Sequence, residues 1–330
     1  MNAFVIQLES LVVPGTVETY ASRISQVKAR IGNTPMAHID TVNGNRIHAK
    51  LEHLNPFSRS VKDRAAAYML TGPLERGEIN PLEKKVWIEA SSGNLGIAYG
   101  KIGSYLGIET YIVVPSVTDE ETLKILKESV SNYMVTPGGY CPRGERDGAI
   151  KMVADIWMDD PKKYEFRDQY RTRDNIRAHA ETTGPEFWNQ TRGEITHLVL
   201  APGTGGTIIG SARYLKNRNP DIQIVAVQPQ MDHKIQGVRN FEESMKSIIF
   251  KDNEDLIDSW VSVNDGEAFK AMENLSLEGY PVGSSSGLNY AAARKIAKDE
   301  KNAVIATLFP GQNRGMQTLQ PISDSKFEGR

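Results

Sequence analysis

Short runs rich in Val and Ile alternate with longer stretches of helical period along most of this chain, and this alternation constrains the fold more than any other feature. The apolar runs predict buried strands at residues 86–89, 110–115, 197–201, 222–227 and 303–308. The helical stretches cover residues 61–70, 95–106, 120–130, 208–216 and 288–298. Continuously apolar strands between helices indicate parallel sheets that are covered on both faces. We therefore predict an α/β fold with two open, mostly parallel sheets.

The composition argues against several classes of protein. At 330 residues the chain is long for one domain and suits two domains that share a cleft. The net charge is -2 and no basic stripe is present, so we expect no binding to nucleic acid. No apolar run approaches the roughly 20 residues that span a bilayer, and residues 1–9 do not resemble a signal peptide, which predicts a cytoplasmic protein. Cys141 is single and the six histidines show no ligand spacing, so we predict neither a disulfide nor a metal site.

A glycine-rich loop lies between a predicted strand and a predicted helix. Its residues are Gly203, Thr204, Gly205, Gly206 and Thr207. Glycines allow successive backbone N–H groups to converge, and the following helix N-terminus favours an anion. Position 208 is Ile and no Gly-Lys pair follows, so neither the dinucleotide nor the P-loop fingerprint fits. The loop predicts a phosphate site, with an ordinary tight turn between strand and helix as the alternative.

A second polar loop also joins a strand to a helix. Ser91 and Ser92, together with the N–H groups from Gly93 to Leu95, could bind a substrate carboxylate. Asn94 could donate a hydrogen bond to a phenolic oxygen of a cofactor. Because Ser and Asn are also the residues that helix N-termini prefer, capping of the helix is the alternative interpretation.

Lys62 lies in the first turn of a predicted helix that contains three successive alanines, at positions 65 to 67. Small residues allow such a helix to pack closely and to bury its first turn. A desolvated lysine has a lowered pKa and becomes a usable nucleophile and base. Most lysines are solvated, and that is the alternative for this one.

The segment from Gly283 to Gly287 carries three serines before a predicted helix. Ser285 could be a neutral partner for a pyridine nitrogen, although capping of the helix would use the same residue type. A hydroxyl leaves such a ring unprotonated and a weaker electron sink, which favours loss of a β-substituent over transamination. An amine, a carboxylate loop, a phosphate loop and this hydroxyl, in this order, indicate an enzyme that holds pyridoxal 5'-phosphate as a lysine Schiff base.

The chain resembles the fold-type II pyridoxal-phosphate family that contains cysteine synthases and cystathionine β-synthase. The resemblance runs from Ile31-Gly-Asn-Thr-Pro-Met36 to about Pro310, and it includes Thr182-Thr-Gly-Pro-Glu-Phe-Trp188 and Lys234-Ile-Gln-Gly237. It implies two α/β domains with the cofactor between them, usually in a homodimer, and a small amino-acid substrate. It also implies β-elimination to an aminoacrylate, followed by addition of a nucleophile.

The resemblance assigns roles to individual residues. It makes Lys62 the Schiff-base lysine, which also moves the α-proton, and it makes Gly203 to Thr207 the phosphate loop. Asn94 matches the ligand of the phenolic oxygen, and Ser285 matches the partner of the pyridine nitrogen. The residues that match the substrate-carboxylate site are Ser91, Ser92, Asn94, Leu95 and Gln169.

The resemblance also predicts how the chain is divided. Residues 1–50 and 172–315 are expected to form a larger domain that binds the cofactor phosphate. Residues 51–171 are expected to form a smaller, mobile domain that carries the carboxylate loop, and residues 316–330 to form a loose tail.

The chain departs from the family at several places. The loop before Lys62 is one residue longer than the common form, and position 95 is Leu where Thr is usual. The segment Gly138–Arg146 is longer than in plain cysteine synthases, and Arg239 stands in what is usually a glycine-rich stretch. These departures bear on which substrate the enzyme uses.

Arg239 resembles the arginine of relatives that use O-phosphoserine, whose guanidinium can bind a phosphate in bidentate fashion. The alternative is a surface ion pair with Glu242 or Glu243. On the phosphate interpretation, the enzyme is cysteine synthase-like and makes cysteine from O-phosphoserine or O-acetylserine and sulfide.

Asp232 suggests a different reaction. It follows a predicted strand and should lie at the edge of the active site, where a carboxylate could activate water. The enzyme would then be a cysteine hydroxyl-lyase that releases hydrogen sulfide and forms L-serine. The alternative for Asp232 is a cap of the following turn. A cystathionine or diaminopropionate-type β-synthase is a third reaction within the family, and a catalytically silent scaffold protein is an option of another class.

Overall fold

The computed structural model describes residues 17–137 and 148–313, in which ten strands form two sheets. The strands are β1 (Met36–Val42), β2 (Asn45–Leu51), β3 (Val86–Ala90), β4 (Thr110–Val114), β5 (Asn132–Val135), β6 (Tyr164–Phe166), β7 (His197–Leu200), β8 (Gln223–Pro229), β9 (Ser259–Val263) and β10 (Val304–Phe309). The α-helices are α1 (Val17–Arg30), α2 (Lys62–Glu75), α3 (Asn94–Leu106), α4 (Glu120–Ser129), α5 (Ala149–Asp159), α6 (Arg173–Ala178), α7 (Gly184–Gln190), α8 (Gly206–Arg218), α9 (Ile248–Lys251), α10 (Asp265–Leu277) and α11 (Ser284–Asp299). A π-helical turn, His179–Thr183, lies between α6 and α7.

The larger sheet has the strand order β1-β2-β10-β7-β8-β9. Its first two strands form an antiparallel hairpin, and the other neighbours pair in parallel. Side chains alternate between its two faces, because successive residues of a strand point to opposite sides. Val199 packs with α10 and α11 on one face, whereas Leu198 and Leu200 pack with α7 and α8 on the other. Both faces are therefore covered, which explains why these strands are apolar throughout.

The smaller sheet has the order β5-β4-β3-β6, with all its strands parallel. Trp87 and Ile112 face α1, α2 and α3. Ile88 and Val113, one position further along the same strands, face α5. This sheet also buries both of its faces between helices.

The predicted α/β class with two mostly parallel sheets is confirmed. Each of the five predicted strands and five predicted helices is present, and most of the ends differ by a few residues. The largest difference is in α2, which was predicted to end at Leu70 and continues through Gly72 and Pro73 to Glu75. Because residues 63–73 of this helix are buried, packing outweighs the low helix propensity of Gly and Pro.

Helix α1 packs against α2 and α3 through Ile24 and Val27, whereas β1 and β2 belong to the larger sheet through the pairing of β2 with β10. The boundaries of the predicted two-domain division stay a prediction. The predicted tail 316–330, Cys141 and the segment Gly138–Arg146 lie outside the described residues. Within the described ranges, no helix is long and apolar enough to cross a membrane, and no group of three His, Cys, Asp or Glu could hold a metal ion.

Candidate active site

A cleft of about 1000 Å³ is lined by the loops that follow the carboxyl ends of β3, β4, β7, β8 and β10. This edge is where open α/β sheets bind their ligands. All but one of the residues that the sequence predicted for the site line this cleft. They are Lys62, Ser91, Ser92, Asn94, Leu95, Gln169, Gly203, Thr204, Gly205, Thr207, Asp232, Arg239 and Ser285. Gly206 does not line the cleft, because it is buried behind the glycine loop against the side chain of Asn175.

Lys62 is the first residue of α2, and its side chain is partly buried in the cleft. The three alanines that follow it are fully buried, as the small-residue pattern predicted. Burial of the amine, followed by the positive charge of Arg239, lowers the pKa of Lys62 to about 8. A useful fraction of Lys62 therefore carries a free amine close to neutral pH, which is what a nucleophile or a base requires.

The loop before Lys62 is held from inside by the buried carboxylate of Asp63. This carboxylate accepts the N–H groups of Phe57 at 2.6 Å and Ser58 at 2.8 Å, and it also accepts the Ser58 hydroxyl. The Ser60 hydroxyl pairs with that of Ser58 and accepts the N–H of Lys62 at 3.2 Å. Burial raises the pKa of Asp63 to about 6, although these hydrogen bonds oppose the rise. The longer loop is therefore fixed by a hydrogen-bond network that ends at the lysine.

The same loop is tied to the end of β10. The N–H of Val61 donates to the carbonyl of Pro310 at 2.8 Å, and Ser60 forms a β-bridge with Gly311. A Cβ atom at Gly311 would lie 3.1 Å from the Cβ of Ser60 and 3.2 Å from the amide nitrogen of Asn94. The glycine thus lets the lysine loop and Asn94 approach each other. Sequence reasoning missed this residue because no glycine pattern marks it.

The glycine loop is shaped by close approaches of backbone. A Cβ atom at Gly203 would overlap the carbonyl oxygen of Gly237, and Gly205 has a φ of 88°, in the left-handed region that favours glycine. Helix α8 begins directly after this residue. The N-cap glycine offers no side-chain acceptor, and the hydroxyl of Thr204 accepts the N–H of Gly206 at 3.4 Å, which leaves the N–H groups that follow Gly206 for an anion.

Side chains from three other elements support this loop. Asn175 donates to the hydroxyl of Thr204 at 3.1 Å, and Ser247 donates to the carbonyl of Thr204 at 2.6 Å. The hydroxyl of Thr207 pairs with a ring nitrogen of His179 at 3.2 Å. Burial, followed by the charge of Arg64, lowers the pKa of His179 to about 3, so its ring is neutral. Sequence reasoning did not find Asn175, Ser247 or His179, because they approach the loop only in the folded chain.

The serine loop combines both of its predicted interpretations. The hydroxyl of Ser91 accepts the N–H groups of Gly93 at 3.2 Å and Gly96 at 2.8 Å, so it stabilises the start of α3. Ser92 is exposed at the cleft and Asn94 is partly exposed, whereas Leu95 is buried. The capping interpretation is therefore right for the Ser91 hydroxyl, while the side chains of Ser92 and Asn94 stay accessible from the cleft.

Gln169 connects the serine loop to the glycine loop. Its buried side chain donates to the carbonyl of Ala90, the residue before the serine loop, at 2.8 Å. Its own backbone carbonyl accepts the amide of Asn175, which also holds Thr204, at 2.8 Å. A chain of hydrogen bonds thus runs from the end of β3 to the phosphate-site loop.

Ser285 lies in the first turn of α11 and lines the cleft with a partly buried side chain. The residue at the N-cap position is Gly283, and no side chain caps the helix there. The N–H of Gly283 donates to the carbonyl of Gly311 at 3.1 Å, which joins this helix start to the lysine loop. The alternative interpretation of Ser285 as a cap is therefore wrong.

Arg239 brings a positive charge into the cleft. Its guanidinium lies 4.4 Å from the centroid of the Tyr170 ring, and its Nη1 donates to the carbonyl of Met245 at 3.3 Å. Its Nη2 is buried and has no hydrogen-bond partner in the described part of the chain. A guanidinium in the cleft wall, with one nitrogen that the described residues leave without a partner, adds positive charge that favours an anion in the cleft.

The predicted alternative for Arg239, an ion pair with Glu242 or Glu243, is not formed. Glu242 accepts the side-chain amide of Gln228 at 2.9 Å, and Glu243 accepts the backbone N–H of Asp232 at 2.6 Å. Glu242 and Glu243 therefore accept hydrogen bonds from other groups. Neither neutralises the charge of Arg239, which is directed to the cleft.

Asp232 is exposed at the edge of the cleft, with a φ of 53° in the left-handed region. Its carboxylate does not cap the following turn, because the N–H of Lys234 donates to Asp265 at 2.9 Å instead. No hydrogen bond or ion pair of this carboxylate is found within residues 17–137 and 148–313. The alternative interpretation of Asp232 as a cap is therefore wrong as well.

Comparison with known proteins identifies the family. Residues 27–311 match the model of the family described as pyridoxal-phosphate dependent enzyme. The chain belongs to this family. It is 38% identical to the cysteine synthase of Aquifex aeolicus over 319 residues, which covers 93% of this chain and 95% of that protein. It is also 34% identical to cysteine synthase B of Escherichia coli over 290 residues, which covers 87% of this chain and 92% of that protein. The predicted cysteine synthase family is confirmed.

Solved structures of pyridoxal-phosphate dependent enzymes share this fold. One is described as the O-acetylserine dependent cystathionine β-synthase of Helicobacter pylori, at a TM-score of 0.78 and 29% identity, covering 88% of this chain and 97% of that one. Another is described as a hydrogen sulfide-producing enzyme of Fusobacterium nucleatum, at the same TM-score and identity, covering 88% and 98%. The family therefore contains more than one reaction on this architecture.

The residues of the cleft fit pyridoxal phosphate. The glycine loop has no room for a Cβ atom at Gly203, and the N-cap glycine of α8 offers no side-chain acceptor, so backbone N–H groups beyond that of Gly206 are left for a phosphate. Lys62 offers an amine of lowered pKa in the same cleft, and Ser285 offers a neutral hydroxyl. These are the groups by which a protein holds this cofactor.

Proposed function

We propose that this enzyme makes L-cysteine by replacing the β-substituent of an O-activated L-serine with sulfide. The observation that carries the proposal is the convergence, in one cleft, of an amine of lowered pKa, a helix start with a glycine at its N-cap, and an arginine whose Nη2 has no partner among the described residues. The curated relatives at 38% and 34% identity are cysteine synthases, which supports the same reaction.

Lys62 would hold the cofactor through its amine, with the glycine loop on the phosphate, Asn94 on the ring oxygen and Ser285 on the ring nitrogen. Bound pyridoxal phosphate supplies an electron sink for the substrate α-carbon. Once the substrate's amino group has displaced it from the cofactor, the amine of Lys62, with its pKa of about 8, would take the α-proton and later return it. Because this pKa lies near neutrality, one side chain can act as base and as acid.

The substrate carboxylate would bind at the serine loop. Ser92, Asn94 and the N–H groups at the start of α3 face the cleft there, and Gln169 is close behind them. A helix N-terminus and several donors favour a carboxylate. This placement fixes the α-carbon relative to Lys62, since both ends of the amino acid are then held.

The leaving group would be phosphate, which makes O-phospho-L-serine the preferred donor. Arg239 supports this choice, because its Nη2 has no hydrogen-bond partner among the described residues and its charge acts on Lys62 in the same cleft. A guanidinium can donate two parallel hydrogen bonds to a phosphate dianion, whereas an acetyl ester carries no charge for it to bind.

The test is a comparison of donors with the purified, cofactor-loaded enzyme. O-phospho-L-serine and O-acetyl-L-serine are each supplied with sulfide, and cysteine is measured. We expect cysteine from both and a higher kcat/KM with the phosphate ester. Preference for the acetyl ester would contradict the choice of donor, and no cysteine from either would contradict the proposed reaction.

A second function, cysteine hydroxyl-lyase, is favoured by one observation. Asp232 presents an exposed carboxylate at the cleft edge that has no hydrogen-bond or ion-pair partner in the described part of the chain, as a base for water would. One similar structure is described as a hydrogen sulfide-producing enzyme. L-cysteine supplied alone would then yield sulfide and L-serine, and absence of both products would exclude this reaction.

The remaining predictions about the protein concern its assembly and location. We propose a homodimer, as is usual in the family, and a cytoplasmic enzyme. Light scattering coupled to gel filtration measures the first, and fractionation of cells measures the second. A cystathionine-type reaction would show as condensation of the same donor with L-homocysteine in place of sulfide.

A further inference from the structure

Glu89 is a buried acid that the roles above do not use. It stands one residue before the end of β3 and is 1% exposed. Its Oε2 atom has no hydrogen-bond partner within residues 17–137 and 148–313. Burial, followed by the negative charge of Asp168, raises the pKa of Glu89 well above its ordinary value. A buried acid without a cation is costly unless it is held neutral, so a structural or functional reason for its presence is required.

The contacts of Glu89 lie where the sheet ladder stops. Strand β3 pairs with β6 only up to Ile88 opposite Phe166. Beyond that pair, the Oε1 atom of Glu89 accepts the N–H of Ala90 at 3.0 Å. The backbone N–H of Gln169 opposes the rise of the pKa of this carboxyl. The acid thus holds the backbone of β3 at the point where its pairing with β6 has ended.

Both strand ends carry residues of the proposed carboxylate site. Ala90 is followed directly by the serine loop, and Gln169 returns a hydrogen bond from its side chain to the carbonyl of Ala90 at 2.8 Å. The Glu89 carboxyl on the N–H and the Gln169 amide on the C=O therefore hold the two peptide groups that flank the Cα of Ala90. A shift of either strand end would move the serine loop relative to Gln169.

We infer that Glu89 is a positioning residue for the substrate carboxylate, since it holds the N–H of Ala90, directly before the serine loop, while the Gln169 amide holds the carbonyl of the same residue. This inference rests on the part of the proposed function that places the substrate carboxylate at the serine loop. Glu89 acts through Ala90 and touches neither substrate nor cofactor. Its role requires an oxygen that accepts the N–H of Ala90, and it does not require a negative charge.

Two substitutions separate the acceptor from mere packing. Glu89→Gln keeps an acceptor oxygen of the same reach, whereas Glu89→Met keeps the volume in an apolar surrounding and removes the acceptor. Glu165→Gln is the matched control, because Glu165 lies on the neighbouring strand β6 and pairs with Lys85 and Arg167, away from the serine loop. Each variant is purified with its cofactor. Binding of L-alanine, and of ethylamine, which lacks the carboxylate, is followed by the visible absorbance of the bound cofactor.

We expect Glu89→Met to weaken L-alanine binding by at least about tenfold, the effect of losing well-placed hydrogen bonds, and to leave ethylamine and cofactor binding within about twofold. Glu89→Gln and Glu165→Gln should bind L-alanine within about threefold of the parent enzyme. Unchanged L-alanine binding in Glu89→Met would overturn the inference. Equal weakening of L-alanine and ethylamine would overturn it too, because that result indicates a general distortion.

The readout also separates this inference from the proposed function. L-alanine has no leaving group, so its binding needs no turnover. If the parent enzyme forms no cysteine but prefers L-alanine to ethylamine, the proposed reaction fails and the Glu89 test can still be read. If the parent enzyme shows no such preference, the carboxylate site itself is wrong, and the inference about Glu89 falls with it.

Discussion

The glycine loop before α8 and the segment after β8 line the same cleft, but their polar groups are satisfied to very different degrees. Thr204 and Thr207 of the glycine loop bond to Asn175, Ser247 and His179, and the only ring among these partners is neutral. The segment after β8, by contrast, leaves Nη2 of Arg239 without a partner and the carboxylate of Asp232 without a bond inside the described ranges.

The difference indicates which side of the cleft is preorganised in the absence of a ligand. A loop whose side chains are already paired keeps its shape, so it can present backbone N–H groups to a constant ligand, the cofactor phosphate. A wall with unpaired charges is completed only when a charged substrate binds. We therefore expect changes on the glycine-loop side to affect the cofactor, and changes after β8 to affect the choice of substrate.

The largest effect is expected for Lys62→Ala. Loss of the amine removes both the anchor of the cofactor and the base, so turnover should fall by at least about 10³-fold. Lys216→Ala is the control, because that lysine pairs with Asp258 far from the cleft. Activity in Lys62→Ala close to that of the control would rule out the assigned role.

A smaller effect, confined to the cofactor, is expected for Gly203→Ala. The added methyl group would overlap the carbonyl of Gly237, and overpacking of a rigid backbone costs about 1–3 kcal/mol. The dissociation constant for pyridoxal phosphate, measured by titration of the apoenzyme, should rise by about 10- to 100-fold. Gly266→Ala, in the first turn of α10, is the control and should not change it. An unchanged dissociation constant in Gly203→Ala would show that the glycine loop adjusts to the added methyl group and is not rigid.

The wall after β8 is tested by Arg239→Met. This change should raise KM for O-phospho-L-serine by about tenfold and leave KM for O-acetyl-L-serine within about twofold, because only the phosphate ester offers a dianion to the guanidinium. Steady-state kinetics with both donors measures the split. Equal increases for the two donors would mean that Arg239 supports the cleft in general.

The same substitution should change a pH dependence. Burial and the charge of Arg239 lower the pKa of Lys62 to about 8, and attachment of pyridoxal phosphate needs the free amine. The rate of attachment to the apoenzyme should therefore rise with pH with a midpoint near 8. Removal of the positive charge in Arg239→Met favours the protonated amine, so the midpoint should move to higher pH. A midpoint that stays in place or falls would contradict this electrostatic link across the cleft.

The smallest effect on cysteine synthesis is expected for Asp232→Asn. Hydrosulfide is a good nucleophile without a base, so the synthetic rate should stay within about twofold. Sulfide release from L-cysteine, if the parent enzyme shows it, should fall by at least about 100-fold because water needs the base. Parallel loss of both activities would show that Asp232 holds the segment in shape and is not a base.

The sequence predicted the residues that chemistry requires in a fixed order, because each lies next to a strand or helix end. The positions of the strand ends then bring Lys62, Asn94, Gly203 and Ser285 to one cleft. The β1–β2 hairpin also had a signal that was not used: Asn43-Gly44, with φ angles of 51° and 82°, is the pair that tight hairpin turns prefer.

What the sequence did not reveal depends on burial and on distant partners. In the sequence, Asp63 and Glu89 cannot be told from acids on the surface. The folded structure shows that they accept backbone N–H groups beside the site. Arg239 could equally have paired with Glu242, until the structure placed Gln228 there. The tertiary fold determines which of several nearby groups a charged side chain pairs with. The residues next to it in the sequence do not.

The most direct test of the central claim is to mix the cofactor-loaded enzyme with O-phospho-L-serine before sulfide is added. We predict that the visible absorbance of the bound cofactor changes and stays changed, and that adding sulfide restores it with one equivalent of cysteine per active site. An absorbance that returns without sulfide, or restoration without cysteine, would contradict a β-replacement enzyme that waits for its nucleophile.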